Sequence, residues 1–499
     1  MTLNDALNQL TALETTLRAY GHAIGCLNYD GETVAPRNSA PMRGETMAFL
    51  SGIIHEKVTA GETGEILDTI LTHRDEVSLK DRRRAEVLKE QRDDLTLVPA
   101  DEFMAYQQLM AEAMQVWHDA KLASDFAAYA PYLDKIIAYN RRFAERKDAK
   151  KPAYDVLLDG YEKGLSHETL DPFFELLRAE LTPVILAVAE KPRPDVAFLN
   201  QPYPIHLQKK FTDRVMQIMG INRDDCSVGE TEHPFTDGFN KHDVRITTHY
   251  HEDSVLSNLY SVVHEGGHAL YELGVGDELQ GTILAGGSSM SIHESQSRFY
   301  ENIIGRSRAF CEVLLPELKA LFPAQMAGVD EEKLYRAANL AEPSLIRTEA
   351  DELTYAMHVM IRYELEKAMI GGDLKTDDIP GEWNRMYKKY LGIDVPDDRR
   401  GVLQDSHWSF GAIGYFPSYA LGSAYGAQML PQMQKDIDVW SVVRSGDLKP
   451  ITAWLGEKIH HYGQLLTPNE LILSACGAPF DAHYYVDYLK GKYGELYGL

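Results

Sequence analysis

Apolar residues recur at helical spacing along most of this chain. Leu3–Gly25, Asp101–Ala120, Phe126–Lys147, Leu170–Glu190 and Ile205–Gly220 each place them three or four residues apart, which predicts helices with one buried face. Lys80–Asp94 mixes both charge signs densely and reads as a helix on a solvated surface. Pro192, Pro194, Pro202 and Pro204 mark a loop or extended stretch. Pro343–Ile370, with proline at its start and Gly371-Gly372 at its end, predicts a long helix. Trp454–Tyr462 and Val486–Leu499 read as helical too.

The period changes clearly once. His242–Thr248 alternates polar and apolar residues and predicts a strand. Asp243, Arg245 and Thr247 then share one face, Val244 and Ile246 the other. Such a strand can line a cleft as an edge, with Arg245 facing substrate. Equally, Asp243 and Arg245 can brace each other as a structural ion pair. No internal repeat or low-complexity segment interrupts the pattern. The expected fold is mainly α with one small sheet, and residues 1–499 are read as a single unit.

Just after the strand comes Val255–Leu270, apolar at helical period, with Asp253 or Ser254 as cap and Gly274 as a stop. Inside it lies His264-Glu265-Gly266-Gly267-His268, a complete HExxH. Residues four apart share a helix face about 5–6 Å apart, so His264 and His268 can bind one zinc ion with bonds of about 2.0–2.1 Å. Glu265 beside them is placed to act as a general base toward water. With 18 histidines in 499 residues the bare motif also arises by chance, and a packed helix with two incidental histidines is the competing explanation. Two adjacent glycines argue against it. Each costs a helix about 0.8–1 kcal/mol against alanine, so another backbone or a ligand is expected to approach closely there.

Bulk composition narrows the function. Hydrophobic residues make up 44% and charged residues 25%, as in globular proteins. A net charge of −25 disfavours nucleic acid and anionic membranes as partners. There is no run of 18 apolar residues and no leader-like start, so a cytoplasmic protein is expected. Cys26, Cys226, Cys311 and Cys476 are scattered singly and read as free thiols.

A catalytic zinc needs a third protein ligand and an open position. Glu294 and its neighbour His293 are both candidates. Ser291-Ile292-His293-Glu294 is also a capping box, which would occupy Glu294 structurally.

Beyond the metal motif the chain resembles the Taq-type thermostable metallocarboxypeptidases. The likeness rests on HExxH followed by His293-Glu294-Ser295-Gln296, on His233-Pro234-Phe235, and on Asp243, Arg245 and Thr247 at alternate positions. It continues in Ile346-Arg347-x-x-Ala350-Asp351, Gly401-x-x-Gln404-Asp405-x-His407-Trp408, Gly414–Gly422 and Tyr154–Glu162, and so spans the chain. Leu27-Asn28-Tyr29-Asp30 departs from it, since tryptophan usually precedes that aspartate.

The resemblance implies a zinc carboxypeptidase, commonly a homodimer, with two helical lobes flanking a deep groove and cobalt able to replace zinc. It implies His264, His268 and Glu294 as ligands, and an Asp243–Thr247 segment closing one end of the groove. Arg347, Asp351, Tyr355 and His358 fall on one stripe of the expected long helix. Arginine's planar fork suits a peptide's terminal carboxylate, which makes Arg347 the candidate anchor; the alternative is pairing with Asp351. His407 and Tyr415 are candidate donors to the tetrahedral oxyanion, with Tyr419 beside them in contact with substrate. The rival enzyme reading is a helical zinc oligopeptidase or dipeptidyl carboxypeptidase. A silent zinc-stabilised scaffold is disfavoured, because a structural site needs no Glu265 and usually has four protein ligands.

Overall fold

The first helix starts at Leu3, where the Thr2 hydroxyl accepts a hydrogen bond from the Asp5 amide, and runs to Thr33 instead of ending at Gly25. Gly25 serves close approach, not termination: a Cβ there would meet the Phe239 ring at 2.5 Å. Its buried residues Ala6, Leu10 and Glu14 repeat at one-turn spacing. With helices Ala40–Thr59, Gly61–Thr72 and Leu79–Leu97 they enclose a small core that includes Val58, Ile66, Leu67, Ile70, Ala85 and Leu88. The charged stretch at Lys80–Asp94 is therefore not wholly solvated. Arg84 turns inward, and its Nε donates to both Glu14 oxygens at 3.0 and 3.1 Å. A buried charge needs such a partner, and it comes from a helix seventy residues away that local pattern cannot reveal. The computed structural model describes residues 1–499.

A second, larger core runs from Ala113 to Leu496. Helices Ala100–Ala123, Phe126–Asp148, His167–Ala189 and Ile205–Met219 lie close to the expected spans, and His483–Tyr497 closes the chain. Trp454–Tyr462 divides into the end of helix Lys449–Lys458 and a 3-10 turn, His460–Tyr462.

The expected helix Pro343–Ile370 begins only at Glu352. The Asp351 carboxylate caps it, accepting from the Leu353 and Thr354 amides at 2.9 and 3.1 Å. Aspartate is among the strongest N-caps, and it outweighs the weak start signal of Pro343. Arg347 therefore sits in a separate 3-10 turn, Arg347–Glu349, outside the stripe of Tyr355 and His358.

The sheet has three strands, β1 (Cys226–Glu230), β2 (Thr236–Asn240) and β3 (Asp243–Thr248), in the order β1-β3-β2. β1 pairs parallel to β3, and β2 antiparallel with an irregularity between Gly238 and Asn240. The strand read from sequence is thus central, not an edge. Its neighbours are five residues each with glycine inside, too short and irregular to show alternation. Val244 and Ile246 are fully buried as the period-2 pattern requires. β2 and β3 both pack on the helix Val255–Leu273 that carries the HExxH residues.

Candidate metal centre

Helix Val255–Leu273 is fixed at its middle by its two glycines. A Cβ on Gly267 would lie 2.7 Å from the Gln296 carbonyl oxygen and 2.7 Å from Ser297 Cα. The backbone of helix Met290–Arg298 therefore crosses directly against the metal motif, the close approach that the glycine pair implied. A Cβ on Gly422 would lie 2.7 Å from Cβ and Cγ of Glu294. Glycines on two neighbouring helices thus let both press on this helix, one at Glu294 and the other at Gln296 and Ser297.

The cap of that second helix is Ser289, whose hydroxyl accepts from the Ile292 amide at 3.1 Å. The helix starts before Ser291, so the capping box does not form. Glu294 turns inward instead. One ligand atom each from His264, His268 and Glu294 fall within 4.8 Å of one another. Glu294 Oε2 stands 3.7 Å from His264 Nε2 and 3.5 Å from His268 Nε2. Ligand bonds of about 2.0–2.1 Å at tetrahedral angles put neighbouring donor atoms about 3.4 Å apart. The donor set fits a zinc-sized divalent cation.

Hydrogen bonding behind the imidazoles settles their tautomers. His264 Nδ1 lies 2.9 Å from Glu301 Oε2, and a carboxylate only accepts, so Nδ1 carries the proton and Nε2 keeps its lone pair. His268 uses a longer relay: its Nδ1 is 2.6 Å from His293 Nδ1, and His293 Nε2 is 2.8 Å from Glu272 Oε1. Glu272 draws a proton onto His293 Nε2, His293 Nδ1 accepts from His268, and His268 Nε2 is left bare. His293, the rival ligand from sequence, has both ring nitrogens engaged.

Glu294 is held by Arg298, whose Nε donates to Oε1 at 2.6 Å, and by the Ser297 hydroxyl on Oε2 at 3.0 Å. Burial pushes this carboxyl up, but Arg298, His264 and His268 together outweigh burial and hold it well below the usual range. Arg298, Glu301, Glu272 and Thr236 escaped the reading of the sequence. Only Arg298 left a signal there, as the fourth residue after Glu294. Glu301 reaches His264 from a π-helical turn, Phe299–Gly305, that continues the Glu294 helix; such turns frequently mark functional sites.

Glu265 is almost fully buried, and its Oε2 accepts from the Thr236 hydroxyl of β2 at 2.6 Å. Burial raises its pKa, although His264 and Thr236 pull it back. A raised carboxyl is a stronger base once ionised.

A second group of predicted residues assembles around Asp405. Arg347 donates to Asp405 Oδ1 through Nε at 3.1 Å and Nη2 at 2.8 Å, and to the Tyr355 hydroxyl at 3.0 Å. Its partner is thus Asp405, because capping by Asp351 removes that carboxylate from the contest. Arg362 Nε takes Asp405 Oδ2 at 2.7 Å. Two buried guanidiniums share one carboxylate. The Arg347 guanidinium lies 4.9 Å from the centre of the Tyr419 ring. The Tyr419 hydroxyl is 3.2 Å from His407 Nε2, and the Tyr415 ring stacks on His407 at 5.6 Å. Burial lowers the His407 pKa to about 4, against the pull of Asp405. Arg298 links the two groups: it holds Glu294, and its guanidinium lies 4.3 Å above the Tyr355 ring.

Arg245 stands apart. Its Nε and Nη2 grip both Asp243 oxygens at 2.8 and 2.9 Å, and it lies over Phe239 and Tyr29 at 4.7 and 5.2 Å. It borders a cleft of about 1070 Å³ between the first helix and β1.

Comparisons with known proteins identify the family. The sequence profile described as "Carboxypeptidase Taq (M32) metallopeptidase" matches residues 9–493. The chain is 37% identical to Carboxypeptidase 1 of Bacillus subtilis over 482 residues, 96% of each chain. It is 35% identical to Thermostable carboxypeptidase 1 of Pyrococcus furiosus over 511 residues, 98% of this chain and 99% of the relative. Among solved structures it is similar to Trypanosoma cruzi metallocarboxypeptidase 1, with a TM-score of 0.94, 31% identity, and 98% and 99% of the two chains covered. The chain belongs to the carboxypeptidase Taq family of metallopeptidases and is a metallocarboxypeptidase.

Proposed function

We propose that the protein is a zinc carboxypeptidase that removes single amino acids from the free C-terminus of peptides, with Glu265 as general base. The observation that carries this reading is the convergence of His264 Nε2, His268 Nε2 and Glu294 Oε2 next to a buried carboxylate. His264, His268 and Glu294 would hold the metal, whose chemistry is to acidify water and polarise the scissile carbonyl. Cobalt suits the same donor set.

The chain's own residues do the rest. Thr236 orients Glu265, which takes the proton of the attacking water and returns it to the departing amine. Tyr415 and His407 donate to the oxygen that becomes negative at the tetrahedral stage. Tyr419 bridges His407 and the Arg347 face and contacts the substrate there. Arg347 binds the terminal carboxylate, which its planar fork suits. Arg245, locked to Asp243, borders the far cleft and limits how the peptide enters. The whole chain acts as one catalytic unit, a homodimer in the cytoplasm whose partners are peptides; light scattering after gel filtration tests the dimer.

One experiment tests the core of the reading. Metal content and released products are measured on matched free-acid and C-terminally amidated peptides, for the wild type and Glu265→Gln. Zinc near one per chain, single amino acids as product, protection by amidation, and a variant that keeps its metal but loses turnover are expected. Dipeptides or internal fragments would instead support the oligopeptidase alternative.

A further inference from the structure

Glu366 lies on helix Glu352–Gly371, fully enclosed, and has no part in the chemistry above. Its oxygens accept three hydrogen bonds. Oε1 takes the Trp408 indole N–H at 2.8 Å, and Oε2 takes the Tyr154 hydroxyl at 2.8 Å and the Gly414 amide at 2.9 Å. Trp408 follows His407, and Gly414 precedes Tyr415. One carboxylate therefore ties both ends of the segment that presents the two oxyanion donors.

The segment is pressed in from behind as well. Gly414 has φ +98°, and a Cβ there would meet the Leu157 carbonyl carbon at 3.2 Å and the Leu158 nitrogen at 3.3 Å. Those residues belong to helix Ala153–Asp159, which also supplies Tyr154. A buried carboxylate is costly unless its lone pairs are filled, and two of the three donors that fill them come from this segment.

We propose that Glu366 is a positioning residue for peptide hydrolysis: by clamping Trp408 and Gly414 it sets where His407 and Tyr415 stand. This rests on the proposed roles of His407 and Tyr415. It demands an accepting oxygen on each side. An indole and a backbone amide can only donate, and they sit on different oxygens of Glu366. A glutamine in either flip would turn its NH2 toward one of them. Glu366→Gln keeps the volume yet must break one end of the clamp.

The test compares zinc-loaded wild type, Glu366→Gln, Trp408→Phe and Tyr415→Phe. It records kcat, KM, metal content, unfolding temperature and the affinity of a phosphonate peptide that mimics the tetrahedral stage. A misplacement of about 1 Å can cost about 10²-fold in rate. Glu366→Gln is expected to lose about 10- to 100-fold in kcat and in phosphonate affinity, with KM within about threefold and metal content unchanged. Trp408→Phe removes one bond only and should lose less, in the same parameters. If Tyr415→Phe is impaired while Glu366→Gln keeps wild-type kcat, the clamp is wrong and the oxyanion assignment stands. A lowered unfolding temperature with unchanged kcat makes Glu366 merely structural and equally overturns the proposal. If Tyr415→Phe is fully active, the underlying assignment fails and the proposal with it. Should Glu366→Gln not fold, Trp408→Phe decides: full kcat in that variant overturns the clamp.

Discussion

Gly267→Ala adds a single methyl group at the place where the metal-binding helices cross. Its Cβ would stand 2.7 Å from the Gln296 oxygen, 2.7 Å from Ser297 Cα and 3.0 Å from the Gln296 carbonyl carbon. Comfortable contact needs about 3.5 Å, so the helices must part by about 0.8 Å. All three obstacles are backbone, and no rotamer change relieves them. Overpacking of this kind costs about 1–3 kcal/mol, and alanine's better helix propensity returns about 1 kcal/mol. Because only backbone stands in the way, the upper end of that range applies, and a net loss of about 2 kcal/mol is expected. The same displacement carries Glu294 away from His264 Nε2 and His268 Nε2, which already stand 3.7 and 3.5 Å from it. Three bonds of about 2.0–2.1 Å then no longer close on one ion, and zinc affinity should fall about tenfold or more. Urea unfolding of metal-free protein and competition with a chromophoric chelator measure the two effects separately. Gly266→Ala is the control. Its Cβ meets Met219 Cε at 2.7 Å, Met219 Sδ at 2.9 Å and Ile221 Cδ1 at 3.1 Å, the movable ends of side chains. It should stay within about 1 kcal/mol of wild type. Unchanged stability and zinc binding in Gly267→Ala, or greater damage from Gly266→Ala, would show that the helix crossing does not set the metal site.

Tyr415→Phe should lower kcat about 10²- to 10³-fold with little change in KM; steady-state kinetics on a free-acid peptide decide it. Arg347→Lys keeps a charge but loses the fork. A charge-assisted bond is worth about 1.5–3 kcal/mol, so KM for free-acid peptides should rise about tenfold or more, and an unchanged KM would remove the anchor. Burial lowers His407 to about 4, below the ordinary histidine value. The folded state then binds fewer protons than the unfolded one, so the stability held by neutral His407 is complete above pH 6.5 and declines as pH falls toward 4. Acid unfolding of His407→Gln should show a weaker decline over that window, and parallel curves would contradict it.

Much of this protein is legible in residue order because helices and metal motifs are local objects. One turn brings His264 to His268, so the HExxH pair is a statement about five residues. Two adjacent glycines in a helix announced a close neighbour, and Gln296 and Ser297 proved to be that neighbour. The strand at Asp243–Thr248 stood out because polar and apolar residues alternate along it. Where the local signal was ambiguous, a distant partner decided. Glu294 could cap a helix or turn inward, and Ser289, with Arg298 behind the carboxylate, settled it. His293 could bind a metal until Glu272 and His268 took both its nitrogens. Arg347 had a plausible mate four residues away in Asp351. That carboxylate went to the helix start, and the arginine found Asp405 fifty-eight residues on. Chain order thus determined which groups are available, because periodicity and turn chemistry act within a few residues. Tertiary structure alone decided which groups meet, because a buried polar atom takes whichever partner packing brings within about 3 Å.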